Sequence, residues 1–144
     1  MEFQAINRDD AERGVGTWTN ISGTTITLGQ SGHLATAAAS NTGYGVVDNK
    51  DANSIRGFLG IALSNVPNTA VGRFTTYGYA ASVETFALGT SITITRGDPL
   101  GPGATGASLG VSSVGLTTAF GPVIALETIT VSAGTYVKGW VRAM

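Results

Sequence analysis

The feature of this sequence that most constrains its fold is a succession of short β-type segments, each closed by turn residues. In residues 91–96 isoleucine alternates with polar residues, which is the pattern of a strand with one buried face. Segments of β type also lie at residues 24–28, 44–47, 55–63, 70–79, 81–86, 122–126, 128–131 and 135–142. Gly, Pro, Asn or Asp separates them. The pattern predicts an all-β chain folded as a single small β-barrel or β-sandwich.

Three stretches depart from this pattern. Residues 35–40 and 80–88 are the only segments in which a short helix is plausible. Residues 97–103, with the sequence GDPLGPG, are expected to form a loop outside the sheet. Proline lacks the N–H that a strand donates, and glycine weakens a strand.

Residues 1–16 differ from the rest of the chain and are expected to form an extended N-terminal arm. Six charged side chains fall between Glu2 and Arg13, and Gly14-Val15-Gly16 follows as a flexible joint. An ordinary frayed terminus is the alternative. Residues 17–144 then form the β-rich domain.

A weak internal repeat relates two parts of this domain. Residues 61–63, IAL, recur as residues 124–126, 63 positions later. At the same ungapped spacing Ala70 matches Ala133, Tyr77 matches Trp140, and Ala80 matches Ala143. Each copy contains a strand, a turn and a second strand with aromatic residues. This predicts two related hairpins on opposite sides of one small core.

Reactive and charged side chains are scarce. The chain has eight basic and nine acidic residues, one His and no Cys. Disulfides, thiolate metal sites, cysteine nucleophiles and histidine pairs are therefore excluded. The net charge of −1 offers no electrostatic footprint for nucleic acid. Sparsely charged surfaces tend to associate, so part of this surface is expected to be covered by copies of the chain or by another protein.

Neither a membrane span nor a targeting segment is expected. Residues 99–126 carry no charge and are long enough to cross a bilayer. However, five glycines and several serines and threonines lie between Pro102 and Pro122, so a spanning helix is not predicted. Residues 1–10 lack the basic and apolar regions of a signal peptide.

Two glycine-rich motifs resemble catalytic or phosphate-binding sequences but lack their context. Residues 106–110, GASLG, match the nucleophile elbow around Ser108. That chemistry needs a histidine and a following helix, whereas the one histidine, His33, lies upstream and no helix is expected after Gly110. Residues 101–106 match G-x-G-x-x-G without the helix N-terminus that binds phosphate. A serine hydrolase at Ser108 is the least favoured alternative.

Three further motifs have plain structural explanations. Arg96-Gly97-Asp98 predicts a tight turn rather than an adhesion signal. Asn20-Ile21-Ser22 has the form of a glycosylation sequon, with nothing to indicate secretion. Asp48 and Asp51 lie close to Lys50 and lack the closing bidentate Glu of a calcium loop, so no metal site is expected.

Six aromatic side chains allow two interpretations: Trp18, Phe74, Tyr77, Tyr79, Tyr136 and Trp140. Aromatic residues on strands commonly fill a core or an oligomer interface, and we favour this interpretation. An exposed platform on which sugars stack is the alternative.

Five segments of the second part of the chain follow a family pattern. They are GFLGIAL at 57–63, AVGRFTTYG at 70–78, TRGDPL at 95–100, GPVIAL at 121–126 and YVKGWVR at 136–142. In this order of strands and turns, residues 55–144 resemble small capsid decoration (cement) proteins of tailed phages. The likeness is a pattern of strands and turns, and residues 1–54 do not share it.

The resemblance implies a structural virion protein, not an enzyme, that needs no cofactor. Such a protein binds the outer surface of an assembled capsid and reinforces contacts between major capsid subunits. Its implied partners are the major capsid protein and copies of itself, as a homotrimer or alternatively a homodimer, with no nucleic acid and no membrane. During assembly it is in the host cytoplasm. A carbohydrate-recognising or adhesion module of a phage fibre or tail is the alternative function.

The candidate contacts with the capsid or with other copies come from the arm and from aromatic and basic side chains. They are Phe3, Arg8, Asp9, Arg13, Trp18, Arg73, Tyr77 and Trp140. The family has no catalytic residues, so none is assigned. In this hypothesis the arm reaches a neighbouring subunit and becomes ordered on contact.

Overall fold

The fold is all-β. A computed structural model describes residues 13–34, 46–48, 57–85, 91–102, 108–111, 121–131 and 135–143. They form β1 (Gly14–Asn20), β2 (Ser31–Leu34), β3 (Val46–Asp48), β4 (Phe58–Ala62), β5 (Val71–Thr85), β6 (Ile92–Ile94), β7 (Pro99–Pro102), β8 (Leu109–Val111), β9 (Val123–Ala125), β10 (Ile129–Val131) and β11 (Thr135–Arg142). No α-helix occurs among these residues. The predicted small all-β domain is confirmed.

The architecture is organised around β5, whose 15 residues belong to two closed circuits of paired strands. The first circuit runs β1-β3-β2-β4-β5 and closes through the β1–β5 pairing. The second runs β5-β11-β9-β7-β8 and closes through the pairing of Thr85 with Leu109. We call these five-stranded circuits the first ring and the second ring. Closure leaves few unpaired strand edges, which are otherwise prone to aggregation.

Backbone hydrogen bonds show that the two rings are copies of one unit. Ala62 exchanges hydrogen bonds with Gly29 and Gln30, and Ala125 exchanges the same two bonds with Gly97 and Asp98. Outside the rings, Ile26 pairs with Val66 in the first copy, and Ile94 pairs with Ile129 in the second. The internal repeat predicted from residues 61–63 is therefore confirmed, and it extends back to the turns before β2 and β7.

The ungapped spacing of 63 residues does not hold along the whole repeat. The Leu63 N–H donates to the Arg73 carbonyl, whereas the Leu126 N–H donates to the Lys138 carbonyl. The connection before the last strand is thus two residues longer in the second copy. In consequence Trp140 corresponds to Thr75 rather than to Tyr77, because each pairs with the isoleucine of its copy.

Within the described residues the buried apolar side chains form two clusters rather than the one core expected. The smaller contains Ile26, Ala62, Val66 and Phe74, with Trp18 packed against it. The larger contains most of the second ring's inward-facing residues together with Phe58 and Ile61 of β4. Both strands of each predicted hairpin therefore contribute to a ring, and the two rings divide the core between them.

A β-bulge in β5 explains how β4 of the first ring joins the larger cluster. Gly14 pairs with Tyr77 and Val15 pairs with Thr75, so Thr76 is an extra residue in β5. Because Gly14 and Val15 point to opposite faces of β1, Tyr77 and Thr75 also point to opposite faces. Phe74 and Tyr77 therefore lie on the same face of β5. Phe74 points into the interior of the first ring, whereas Tyr77 points away from the interior of the second ring.

Four local expectations differ from the structure. The strand expected at residues 24–28 is an irregular segment with one isolated bridge, between Ile26 and Val66. Ala80–Thr85 of the possible helix 80–88 is strand, because Val83 and Thr85 are buried in the ladder with β11. The loop expected at 97–103 contains strand β7, in which Pro99 pairs with β9 and Pro102 pairs with β8. In the described pairs each proline is matched with a single strand, and proline is tolerated in a sheet where no ladder needs its missing N–H. The joint expected at 14–16 is the start of β1. Residues 35–40 lie outside the described residues.

Candidate interaction surface

A row of half-buried apolar side chains crosses the outer face of the second ring. Trp140 on β11 pairs with Tyr79 on β5 at one side and with Ile124 on β9 at the other. Directly paired residues of antiparallel strands point to the same face, so these three side chains form a continuous row. Their neighbours along the strands, including Ala80, Val123 and Val141, are buried in the second ring's core.

Tyr77 extends this row along β5. Its ring meets the Trp140 ring edge to face, with centroids 5.7 Å apart and planes at 80°. This is the geometry that the quadrupoles of two aromatic rings favour. Tyr77 is 45% exposed, and Trp140 and Tyr79 are half-buried. We call Tyr77, Tyr79, Ile124 and Trp140 the aromatic face.

Basic side chains flank the aromatic face. Arg142 pairs with Tyr77 in the β5–β11 ladder and is exposed, and the exposed Arg13 donates from Nε to the Tyr79 carbonyl at 2.9 Å. The described acidic side chains have partners within the chain: Glu84 contacts Thr27 and Ser108, Asp98 accepts from the Thr95 N–H, and Glu127 pairs with Lys138, which lies two positions from Trp140 on β11. The aromatic face therefore suits a partner surface that is apolar with acidic groups at its margin.

The eight predicted contact residues lie in different parts of the structure. Phe3, Arg8 and Asp9 lie outside the described residues. Arg13, Tyr77 and Trp140 come together at the aromatic face. Trp18 packs edge to face on the buried Phe74, with centroids 5.5 Å apart, and belongs to the core boundary of the first ring. Arg73 is exposed on the outside of the first ring, four residues from Tyr77 along β5.

Three residues of this surface are not among the contacts predicted from the sequence. Tyr79 and Arg142 lie two positions from the predicted Tyr77 and Trp140, on the same strands. The alternation of side chains along a strand is the signal that could have identified them. Ile124 is brought beside Trp140 only by the pairing of β9 with β11, which the sequence does not specify.

The six aromatic residues considered as a sugar platform do not form one surface. Phe74 is fully buried, and Trp18 covers it. Tyr136 is exposed on β11, where it pairs with Glu84 rather than with another aromatic residue. Tyr77, Tyr79 and Trp140 are directly paired or in ring contact, whereas Tyr136 lies four positions from Trp140 along β11.

The environment of Ser108 differs from that of an activated nucleophile. Its Oγ donates a hydrogen bond to Glu84 Oε1 at 3.0 Å, and strand β8 begins at the next residue. A nucleophile elbow instead places the serine between a strand and a helix, next to a histidine base. The Ser108 hydroxyl here links the entry of β8 to β5.

The Arg96-Gly97-Asp98 segment forms the predicted turn. The Asp98 N–H donates to the Thr95 carbonyl at 2.9 Å, and Asp98 Oδ2 accepts from the Thr95 N–H at 2.7 Å. Gly97 has a φ of 98°, which a residue with a side chain adopts only with strain. The carboxylate of Asp98 is therefore used to hold its own turn.

The sequon asparagine is part of the first ring's interior. Asn20 is fully buried, and its Nδ2 donates to the carbonyls of Thr24 and Val66 at 2.7 and 2.8 Å. Its Oδ1 accepts from the Ser22 N–H at 2.9 Å. These hydrogen bonds connect the end of β1 to the segments that follow β1 and β4. The Asn20 side chain is inaccessible in the folded chain.

Two kinds of feature are absent from the described residues. Among them, no group of three or more His, Cys, Asp or Glu side chains is placed to bind a metal ion. This part of the chain also has no helix with the length and hydrophobicity needed to span a membrane.

The fold is similar to a solved phage structure. The crystal structure of the head fibre gp8.5 N base of bacteriophage phi29 matches 90% of this chain and 94% of its own chain, with a TM-score of 0.58 and 14% sequence identity. At that identity the similarity concerns the fold. No protein-family model and no curated protein matches the sequence.

Proposed function

We propose that this protein is a structural component of a phage virion that attaches to the outer surface of the assembled head as a homo-oligomer. The observation that carries the proposal is the fold similarity to the phi29 head fibre base over 90% of the chain. The sequence pattern of residues 55–144 supports it, because it resembles a family that also binds phage heads. The two lines of support rest on different information, three-dimensional topology and local sequence order.

The composition of the surface agrees with such a role. The described residues expose several large apolar side chains, including Tyr77, Tyr136 and Val71. Tyr77 belongs to the contiguous aromatic face, and a contiguous apolar patch of this kind is typical of a contact site with another protein. A protein that binds the assembled shell but not its separated subunits stabilises the shell by mass action. Attachment across neighbouring major capsid subunits would therefore raise the resistance of the head to rupture.

Attachment to the head is compatible with two functions, which predict different effects on the strength of the shell. In the first, the protein is a decoration protein and its function is completed by reinforcing the shell. In the second, it is the base of a fibre or tail module with a carbohydrate-recognising or adhesion role, and the similarity to a head fibre base supports the fibre part of this form. The second form requires little change in the strength of the shell.

The test uses heads of the phage whose genome encodes the chain, prepared with its gene deleted. Purified protein is added back, the heads are sedimented, and the bound protein is quantified. Saturable binding is expected, and binding no greater than that of an unrelated β-protein would overturn the proposal. DNA release on heating then separates the two forms. A decoration protein raises the release temperature, whereas a fibre base leaves it unchanged and adds projecting density in electron micrographs.

A further inference from the structure

The internal duplication provides a comparison for the aromatic face within the same chain. Ile61 pairs with Thr75 in the first ring, and Ile124 pairs with Trp140 at the corresponding position of the second ring. In the first ring this outer row is covered, because Ile61 is 1% and Thr75 0% exposed. In the second ring Ile124 and Trp140 are only half-buried. The described residues therefore cover one copy of the row and leave the other partly exposed.

The beginning of the described chain lies at the β5 edge of the aromatic face. Gly14 pairs with Tyr77, and a Cβ added at Gly14 would lie 3.2 Å from the Tyr77 Cβ. The Arg13 Nε donates to the Tyr79 carbonyl at 2.9 Å. Residues 1–12, which are outside the described part of the chain, are thus joined to it beside two of the four residues of the aromatic face.

The composition of residues 1–12 complements this surface. Their sequence, MEFQAINRDDAE, contains the large apolar side chains of Phe3 and Ile6 together with four acidic residues and one basic residue. The aromatic face is apolar and carries the exposed Arg142 on β11 and the exposed Arg13 at its β5 edge. Apolar side chains can cover the row while acidic side chains pair with the arginines at its margin, so no charge is buried without a partner.

The length of residues 1–12 is sufficient to cross the aromatic face. Neighbouring strands lie about 4.8 Å apart, so the distance from β5 across β11 to β9 is about 10 Å. An extended residue spans about 3.3 Å, so three or four residues cover that distance. Phe3 and Ile6, seven or more positions before Arg13, are therefore within reach of Trp140 and Ile124.

We propose that residues 1–12 cover the aromatic face of their own chain in the free protein. A segment joined to the chain at the edge of its binding surface has a high effective concentration there, which favours this occupant over a second copy in dilute solution. The contact concerns the free chain and so goes beyond the proposed function. On a phage head, the expected contact of the arm with a neighbouring subunit would uncover the aromatic face.

The contact is local and does not hold the domain together. Every described strand begins at Gly14 or later, so residues 1–12 can detach while all of the described strand pairings remain. Openings of this kind require less free energy than global unfolding. The arm is therefore expected to leave the aromatic face well below the unfolding temperature of the domain.

The experiment measures the accessibility of Trp140 to acrylamide by fluorescence quenching. Trp18→Phe is the background for all samples, because it leaves Trp140 as the sole tryptophan. Deletion of residues 1–12 should raise the quenching constant about twofold, since a contact that excludes water from the Trp140 ring is removed. An unchanged quenching constant would overturn the proposal.

Two pairs of substitutions in the full-length chain test which side chains make the contact. Phe3→Ser together with Ile6→Ser should raise the quenching constant as much as the deletion does. Gln4→Ser together with Asn7→Ser is the matched control within the same segment and should leave it unchanged. Equal effects of the two pairs would contradict an apolar contact. Circular dichroism verifies each fold, and the full-length variants decide the test if the truncated chain does not fold.

Protein concentration distinguishes the chain's own arm from a second copy. Covering by the same chain makes the quenching constant independent of concentration from about 0.1 to 100 µM, because the contact is intramolecular. A quenching constant that falls as the concentration rises would assign the cover to another copy and overturn the proposal.

The measurement needs no phage heads, so its outcome is independent of the attachment test. A chain that binds heads but shows the same exposure of Trp140 with and without residues 1–12 contradicts the arm contact alone. A chain whose arm covers Trp140 but which does not bind heads contradicts the proposed function alone.

Discussion

Thr75 and Trp140 occupy the same position in the two rings, yet Thr75 is fully buried and Trp140 is half-buried. Each pairs with the isoleucine that follows the turn of its copy. A small residue is needed where the second ring packs on the first, whereas a large aromatic residue is tolerated where no second ring follows. The difference between the two copies is therefore a difference in what covers them.

The hydroxyl of Thr75 has no hydrogen-bond partner within the described part of the chain, although the residue is fully buried. Thr75→Val keeps the shape and removes the unpaired oxygen, so we expect the free energy of unfolding to rise by about 1 kcal/mol. Thr85, also fully buried in β5, donates from Oγ1 to the Thr135 carbonyl at 2.7 Å. Thr85→Val should lower stability by about 1 kcal/mol, because this bond is lost. Urea unfolding measures both, and equal effects would contradict the prediction.

The equivalent glycines of the two turns offer a second comparison. Gly97 has a φ of 98° with open space around its Cα, so Gly97→Ala should cost about 1 kcal/mol from backbone strain alone. Gly29 has a φ of 84°, and an added Cβ would lie 3.1 Å from Glu84 N and from Ser82 O. Gly29→Ala should therefore cost at least about 1 kcal/mol more, since the backbone of β5 must shift. Thermal unfolding of the two variants should rank them in this order.

Asn20 makes three hydrogen bonds from a fully buried position. Asn20→Ala should therefore lower the free energy of unfolding by about 3 kcal/mol, roughly 1 kcal/mol for each bond. The matched control is Asn68→Ala, which removes one exposed hydrogen bond to the Gly23 N–H. Its expected cost is within about 0.5 kcal/mol, as for surface substitutions in general. Similar chemical denaturation midpoints for the two variants would contradict the role assigned to Asn20.

Deletion of residues 1–12 tests the arm proposed to contact a neighbouring subunit. Because β1 begins at Gly14, the truncated chain keeps every described strand. We expect an unchanged unfolding temperature and a reduced occupancy on phage heads in the sedimentation assay, since the arm's contacts are lost. Full occupancy of the truncated protein would refute the role of the arm, and a lowered unfolding temperature would show that these residues support the fold instead.

Sugar titration distinguishes the aromatic face as a protein contact from a carbohydrate platform. If the aromatic face is a protein contact, common monosaccharides and oligosaccharides should leave tryptophan fluorescence unchanged. Trp18→Phe isolates the emission of Trp140, because the chain has two tryptophans. Saturable quenching in this variant, absent after Tyr79→Ala, would instead favour a carbohydrate-binding module.

The positions of most strands follow from local sequence. Thr135–Arg142 is the strand predicted at 135–142, and Ile92–Ile94 lies within the alternating segment 91–96. Such segments are recognisable because turn residues end them and because alternation of side chains is a local property. The turn at Arg96-Gly97-Asp98 is predictable for the same reason, since its hydrogen bonds join residues three positions apart.

Long-range pairing is what local sequence could not supply. The sequence does not predict strand β7, because two prolines and a glycine disfavour a strand locally, yet β8 pairs with it on one edge and β9 on the other. The correspondence of Trp140 with Thr75 was hidden by two extra residues in a connection. An ungapped comparison cannot detect a shift that lies in a turn, where chain length is poorly constrained.

By itself, the sequence determined that this chain is built of short strands, that part of it is repeated, and that it carries few reactive groups. These properties are local or additive, so they survive without knowledge of which strands meet. Only the tertiary structure decided that the repeats close into two rings sharing β5 and that the bulge at Thr76 exchanges the faces of that strand. It alone brought Tyr77, Tyr79, Ile124 and Trp140 into one surface, because hydrogen-bonded register between distant strands determines which side chains become neighbours.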